Sequence, residues 1–350
     1  MPTLDGRYRL DERIGSGGMS EVWRAHDDVL DRPVAIKLIT LPYADPVAAD
    51  HIVDQVRTEA RAAAKLTHPN IASVHDFGLA DAPGEQPGPY IVMELVEGET
   101  LAAHLRVGPL DWRIAVRVCA EAGAALAAAH LHGIVHRDVK PANIVLTPAG
   151  VKVLDFGIAA VIGQRDPVAE GEVVGTPAFV APERLNGVGA SPATDVYALG
   201  VLLYLCLAGR LPWPVRAEPG QPLSHVYRVP DPLPPLTDLP PDVAELCQRC
   251  MSADPSARPS SVAVALLLAE AVEAQVYVPV GVLPPPPVPA PREATAVDEA
   301  ALDAETQAAA MEPVSPAIED CPAAGDWRGT AGPAGPGDPS VARPGRHRAG

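Results

Sequence analysis

His136-Arg-Asp-Val-Lys-Pro-Ala-Asn143, followed after a short gap by Asp155-Phe-Gly157, is the stretch on which the fold turns. Immediately before it, residues 111–132 are Ala-rich with apolar residues at helical spacing, and Gly133 stands where a helix C-cap belongs. Between the two quoted segments, 144–146 and 151–154 read as short strands. Further upstream the pattern alternates: 8–14, 21–25, 33–39, 71–77 and 90–95 are strand-like, with one helical stretch, 47–66, ending before His68-Pro69. The Pro- and Gly-rich 81–89 is an exposed loop. Downstream of Pro182 the spacing is helical again at 193–208, 241–251 and 260–274. A strand-rich segment with one helix therefore precedes a helix-rich one, an α+β order that predicts two lobes with a cleft between them.

Two further motifs lie in the strand-rich part. Gly15-Ser-Gly-Gly-Met-Ser-Glu-Val22 punctuates the first two strands. Glycines let backbone N–H groups approach a phosphate closely, because no Cβ intervenes. A dinucleotide fingerprint would need glycine where Ser20 stands and a helix afterwards, and a Walker loop would need Gly-Lys-Ser/Thr; neither is present. Val34-Ala-Ile-Lys37 then sets a lysine inside an apolar strand, where it needs an anionic partner. Glu59, in Arg57-Thr-Glu-Ala-Arg61, is the preferred partner, with Glu12, Glu21 and Asp45 as rivals.

Four motifs in this order, each in its required context, resemble the Hanks-type protein kinases over residues 8–275 (8–96 small lobe, 97–275 helical lobe). Gly17-Gly-Met-Ser20 and Tyr90-Ile-Val-Met-Glu94 are most similar to the bacterial serine/threonine branch. The resemblance implies a bilobal kinase fold and ATP-dependent phosphorylation of serine or threonine in proteins, autophosphorylation included. It implies that Gly15, Gly17 and Gly18 cap the ATP phosphates, and that Lys37, oriented by Glu59, holds the α- and β-phosphates. Asn143 and Asp155 would bind magnesium, with manganese as an alternative. Asp138 would accept or orient the substrate hydroxyl, and Lys140, similar to the serine/threonine class marker, would neutralise the γ-phosphate. Adenine would lie between Val22 and Ala35 above and Val145 below, beside the gatekeeper Met93, with Glu94 and Val96 offering backbone groups and Ile14 also among the cofactor-binding residues. His136 and Phe156 would stack with Ala63 and Val74. Glu183 of Ala181-Pro-Glu183 would pair with the distant Arg258, and Asp195 would brace the catalytic loop.

Departures from the family pattern concern regulation and docking. Between Gly157 and Ala181 the one hydroxyl residue is Thr176, and acidic Asp166, Glu170 and Glu172 stand where activating phosphorylation sites are usual. Glu170 or Glu172 could pair with Arg137 as a partial phosphate substitute, or the loop could be acidic and solvated with no partner. Within the stretch 212–241, the seven prolines from Pro214 to Pro235 leave room for a helix of little more than 223–227.

Composition narrows the alternatives. The formal charge of −17 leaves no Lys/Arg excess to neutralise phosphates, which argues against a nucleic-acid or anionic-membrane role. The apolar stretches 197–208 and 262–269 fall short of the ~20 residues of a membrane span. Five scattered cysteines and the absence of an opening secretory pattern imply a reduced, cytoplasmic chain; Cys247-Gln-Arg-Cys250 reads as packing. His130 and His132 read as helix-end residues. Aromatics are 4 %, so the core must be built from Ala, Val, Leu and Ile. Residues 276–350 turn to Pro, Ala, Gly and acid, a tail expected to be mostly disordered, with Thr295, Thr306, Ser315 and Ser340 open to autophosphorylation. Protein substrates and phosphothreonine-reading proteins are the implied partners. The rival function is a nucleotide-binding scaffold without catalysis; a small-molecule phosphotransferase is disfavoured by Lys140 and by Gly175-Thr-Pro.

Overall fold

Alternation of side chains across pleated strands builds the first lobe. The computed structural model describes residues 3–17, 20–41, 46–80, 88–156, 177–185, 187–213 and 229–279. Strands β1 (Thr3–Leu4), β2 (Tyr8–Gly17), β3 (Ser20–Asp27) and β4 (Arg32–Ile39) precede helix α1 (Pro46–Ala63), and β5 (Val74–Ala80) and β6 (Gly88–Glu94) follow it. They form an antiparallel sheet in the order β1-β2-β3-β4-β6-β5, with α1 packed on β5 and β6. Along β4, Val34 and Ile36 enter one apolar cluster with Tyr8, Leu10, Tyr90 and Val92. Ala35 and Ile39 enter the other, with Val56 and Ala60 of α1. The same alternation delivers Lys37 to the α1 side. Arg7 and Tyr8 reach Asp76 of β5 at 3.1 and 2.7 Å, and Tyr90 bonds Asp5, so the curled sheet is tied across its strands.

The second lobe opens with β7 (Glu99–Thr100), α2 (Leu101–Leu105) and α3 (Trp112–Leu131). Strands β8 (Ile144–Thr147) and β9 (Gly150–Val153) complete a small sheet, β7-β8-β9. Helices α4 (Pro182–Leu185), α5 (Pro192–Ala208), α6 (Pro241–Cys250) and α7 (Ser261–Ala271) follow. Asp111 caps α3 through Arg113 N at 2.9 Å, and Ser260 caps α7 through Ala263 N at 3.2 Å. The core is aliphatic, as the scarcity of aromatics requires: α3 buries an alanine-rich surface against α5 and α7. A Cβ on Gly200 would lie 2.6 Å from that of Cys250, so glycine there permits the close approach of α5 and α6. Cys247 donates its thiol to Gly200 O at 3.5 Å, and burial pushes the Cys250 thiol up to about 12, which suits packing rather than reactivity. Helix α3 also has the length and apolar character of a membrane span, which the inspection of 197–208 and 262–269 overlooks; most of it is buried in the lobe.

Boundaries differ from the sequence reading where tertiary pairing wins. The strand expected over 71–77 starts at Val74, because Ile71 instead makes a parallel bridge to Val153 of β9. Strands β1 and β7 and helix α2 are too short to show periodicity. The helix considered within 223–227 lies outside the described residues.

The chain does not leave the fold at 275. Val276 packs against the helical core, and Tyr277 O accepts from His68 Nε2 at 2.7 Å while His68 Nδ1 accepts from Asn70 N at 3.1 Å. Residues 276–279, which composition assigns to the tail, thus tie the end of the helical lobe to the loop after α1. Truncation after Gln275 is expected to lower Tm by roughly 3–6 °C relative to truncation after Pro279, from about 1–2 kcal/mol of apolar packing and one hydrogen bond. Equal melting curves for the two proteins would show that the tie contributes nothing.

Candidate active site

The sheet and the helical lobe each bring one half of the site. In the hairpin joining β2 and β3, Gly15 lies opposite Val22 and Gly17 opposite Ser20; Gly18 falls outside the described residues. A Cβ on Gly15 would come no nearer than 3.6 Å to another atom, so crowding within the protein does not demand glycine here. Close approach of a ligand does explain it. Ile14 is exposed at the hairpin, Val22 is half-buried, and Ala35, Met93 and Val145 are buried. Glu94 N donates to Ser73 O at 2.9 Å, which leaves its carbonyl as the group it could offer a ligand. Among the described residues, the backbone of Val96 makes no hydrogen bond. Two residues on, a Cβ at Gly98 would lie 2.2 Å from Leu146 O, so only glycine lets the chain pass from the linker into β7.

Lys37 is nearly buried, and its partner is Asp155, with Nζ 3.0 Å from Oδ2. The expected partner, Glu59, is not the carboxylate it contacts here. The ammonium takes the carboxylate that β9 delivers into the cleft, whereas α1 directs Glu59 to Arg137 at 3.4 Å. Arg137, like Asp155, has a left-handed backbone (φ +70° and +59°), a costly conformation for residues with a Cβ. Glu59 Oε2 is buried and has no partner among the described residues. Burial raises its carboxyl to about 7, against the opposing pull of Arg137. The acidic residues Glu170 and Glu172 lie outside the described residues, as do Asp45, Asp166 and Thr176.

The consequence for stability has a definite sign. A folded pKa near 7 against 4.5 means that the folded state binds more protons across that interval, so stability rises as pH falls from about 8 to about 5. Glu59→Gln is expected to stabilise the nucleotide-free protein by about 1 kcal/mol at pH 8, discounted for the partial exposure of the carboxyl, and to change little at pH 5. Thermal melts of both proteins across this range check it. A Gln variant no more stable at pH 8 than at pH 5, relative to wild type, would reject the assignment.

The catalytic-loop residues form a fixed cluster. Asp138 Oδ2 receives Lys140 Nζ at 2.6 Å and Asn143 Nδ2 at 2.9 Å, while Asn143 Nδ2 also donates to Asp138 O at 2.7 Å. Asp138 Oδ1 and Asn143 Oδ1 have no partner among the described residues. His136 Nδ1 accepts from Asp138 N at 3.2 Å, which places its proton on Nε2, donating to Leu154 O at 2.8 Å. Leu154 N donates to Asn143 O at 2.9 Å, so the residue before Asp155 is pinned to the loop twice. A nearly buried Asp195 anchors the whole: its oxygens accept from His136 N (2.7 Å), Arg137 N (2.8 Å) and His130 Nε2 (2.8 Å). The unpartnered oxygen of Asn143 and the carboxylate of Asp155 are hard donors of the kind magnesium prefers, so the residues present fit that ion.

His130 is the positioning residue that sequence inspection missed. Spacing alone makes it a helix-end residue, yet it bridges Asp195 and, through Nδ1, Ser261 Oγ at 2.8 Å. Its partners lie 65 and 131 residues away, so no local pattern could reveal them. Glu183 and Arg258 do meet, in two hydrogen bonds of 2.7 Å each. Of the expected stack, the His136 and Phe156 rings lie 4.7 Å apart, Ala63 is buried, and Val74 packs on the small-lobe cluster.

Comparison with known proteins yields one family model, described as protein kinase domain, matching residues 8–274. Serine/threonine-protein kinase PknA of Mycobacterium tuberculosis (H37Rv) is 44 % identical over 259 residues, 73 % of this chain and 59 % of that protein. Serine/threonine-protein kinase PrkC of Bacillus subtilis is 38 % identical over 64 % of this chain and 34 % of that one. Serine/threonine-protein kinase PksC of Streptomyces coelicolor is 38 % identical over 72 % and 46 % respectively. The chain thus spans less than two thirds of the length of these curated relatives.

Proposed function

Because the chain belongs to the protein kinase family, in its bacterial Hanks-type branch, we propose that it transfers the γ-phosphoryl group of ATP to serine and threonine hydroxyls of proteins, its own included. The observation that carries this reading is the convergence of Lys37, Asp155, Asn143, Asp138 and Lys140, linked by contacts of 2.6–3.0 Å across segments far apart in sequence.

Each residue has a chemical task that its surroundings support. The free Oδ1 of Asp138 is available to orient a hydroxyl and accept its proton, while Lys140 and Asn143 hold Oδ2 and fix the rotamer. Lys140, 2.6 Å from Asp138, would offset the charge of the transferred group. Lys37 must leave Asp155 to bind the α- and β-phosphates, and Glu59, freed from Arg137, is the carboxylate that could receive it. Magnesium, held by Asp155 and Asn143 (manganese would fit the same donors), supplies charge neutralisation at the phosphates. Protein substrates follow from this reading, with phosphothreonine-reading proteins as candidate partners and the cytoplasm, where ATP is present, as the location.

Incubating the purified chain with γ-labelled ATP, magnesium and a protein acceptor tests the proposal. Wild type should place label on serine and threonine, and Asp138→Asn should not. A scaffold predicts a different result: nucleotide binding with no label transferred by either protein.

A further inference from the structure

Four lysines occur in a chain with 23 arginines, and three of the four lie around the cleft. Lys37 and Lys140 have roles above; Lys152 has none. It sits in β9, three residues before Asp155, directly opposite Val145, the residue beneath the adenine position. Its Nζ lies 2.8 Å from Glu94 Oε1 and 2.9 Å from Oε2, straddling the carboxylate, and donates to Ile71 O at 3.3 Å. Glu94 is the linker residue placed at the adenine edge. Its Oε2 accepts from Ser73 N at 3.2 Å, and its own N–H donates to Ser73 O at 2.9 Å. Strand β9 is fixed to the same loop, since Val153 N donates to Asn70 O (2.8 Å) and Ala72 N to Val153 O (3.0 Å).

We infer that Lys152 is a positioning residue for the nucleotide: it locks the end of β6, where Glu94 opens the linker, to β9, the strand that leads into Asp155, and it neutralises a carboxylate that would otherwise repel the triphosphate. Both side chains are mostly covered, at 21 and 30 % exposure, so removing the lysine strands a negative charge in a poorly solvated place. A stranded charge displaces the linker toward water, and the adenine edge moves with it. Lys152 touches neither the hydroxyl nor the γ-phosphate, so the effect falls on binding rather than on the chemical step.

This inference rests on the reading of the cleft as an ATP site, and its test separates the two. Magnesium-ADP binding is measured by calorimetry, and KM for ATP and kcat by transfer to a protein acceptor, with the full chain in each case. Lys152→Met should raise Kd and KM about tenfold with kcat within about threefold. Lys152→Arg should recover most of the loss. Lys152→Met combined with Glu94→Gln should bind nucleotide more tightly than Lys152→Met alone, because no charge is left stranded; a purely structural role would make the two losses add. If Lys152→Met fails to fold, Lys152→Gln takes its place in each of these comparisons. Unchanged Kd in the variant that removes the Lys152 charge, or a fall in kcat alone, overturns the inference while leaving the ATP reading intact. Wild type that binds no nucleotide overturns both.

Discussion

Lys37→Met is expected to lower kcat/KM for phosphoryl transfer by at least about 10³-fold, roughly 4 kcal/mol of transition-state stabilisation. The reason lies in what the ammonium does. It pairs with Asp155 at 3.0 Å, just as Lys140 pairs with Asp138 at 2.6 Å. Each of the two carboxylates proposed to serve the reaction thus has a lysine beside it. On the proposed reading, Lys37 would hold the α- and β-phosphates and Asp155 would help to hold the divalent ion. Methionine can do neither: it leaves the phosphates without their cation and Asp155 without its partner. Steady-state kinetics with a protein acceptor read the loss, and circular dichroism checks that the fold survives. Transfer within tenfold of wild type would show that another cation serves the phosphates.

The second large effect concerns stability. Arg258→Ala should destabilise the helical lobe by about 3–5 kcal/mol, lowering Tm by roughly 10 °C. Arg258 is nearly buried and makes a two-pronged bond to Glu183 at 2.7 Å, with further bonds to Ser252 O and Ala193 O, each at 2.8 Å. Its guanidinium also lies 4.9 Å from the centre of the Tyr197 ring. Removing it strands a buried carboxylate together with both of those carbonyls. Burial would raise the Glu183 pKa, yet the Arg258 bonds hold it below the ordinary value. The pair therefore stabilises the protein above the ordinary carboxylate pKa, and the contribution is lost as pH falls through the depressed one. The defect of the alanine variant should accordingly hold steady from pH 7 to about 4.5 and shrink below that. A loss of stability independent of pH would assign Arg258 to packing alone.

Much of this was legible because the decisive signals are local. Alternation in 33–39 and the Ala-rich 111–132 define β4 and α3 without reference to anything else, and the motif residues lie on strand ends and turns whose chemistry is short-range. Glu183 with Arg258 and Asp195 with the catalytic loop came from a family pattern, not from periodicity, since their partners lie 58 to 75 residues apart. What failed to show was choice among charges. Lys37 had several eligible carboxylates, and nothing in spacing says that β9 presents Asp155 while α1 turns Glu59 toward Arg137. His130 and Lys152 looked like ordinary helix and strand residues because their importance lies entirely in what the fold sets against them. Residues 276–279 looked like tail because composition cannot register one backbone carbonyl meeting His68.

Asp195 has a mechanical corollary. It suspends the loop bearing Asp138 from the buried helix α5, whereas Lys37 rides on the six-stranded sheet of the first lobe. Rocking of the sheet would thus alter how firmly the cofactor's phosphates are gripped, yet leave the proton acceptor where it is. Grip and proton transfer are mounted on separate frames, and an effector pressing on the sheet would change saturation by ATP before it changed turnover.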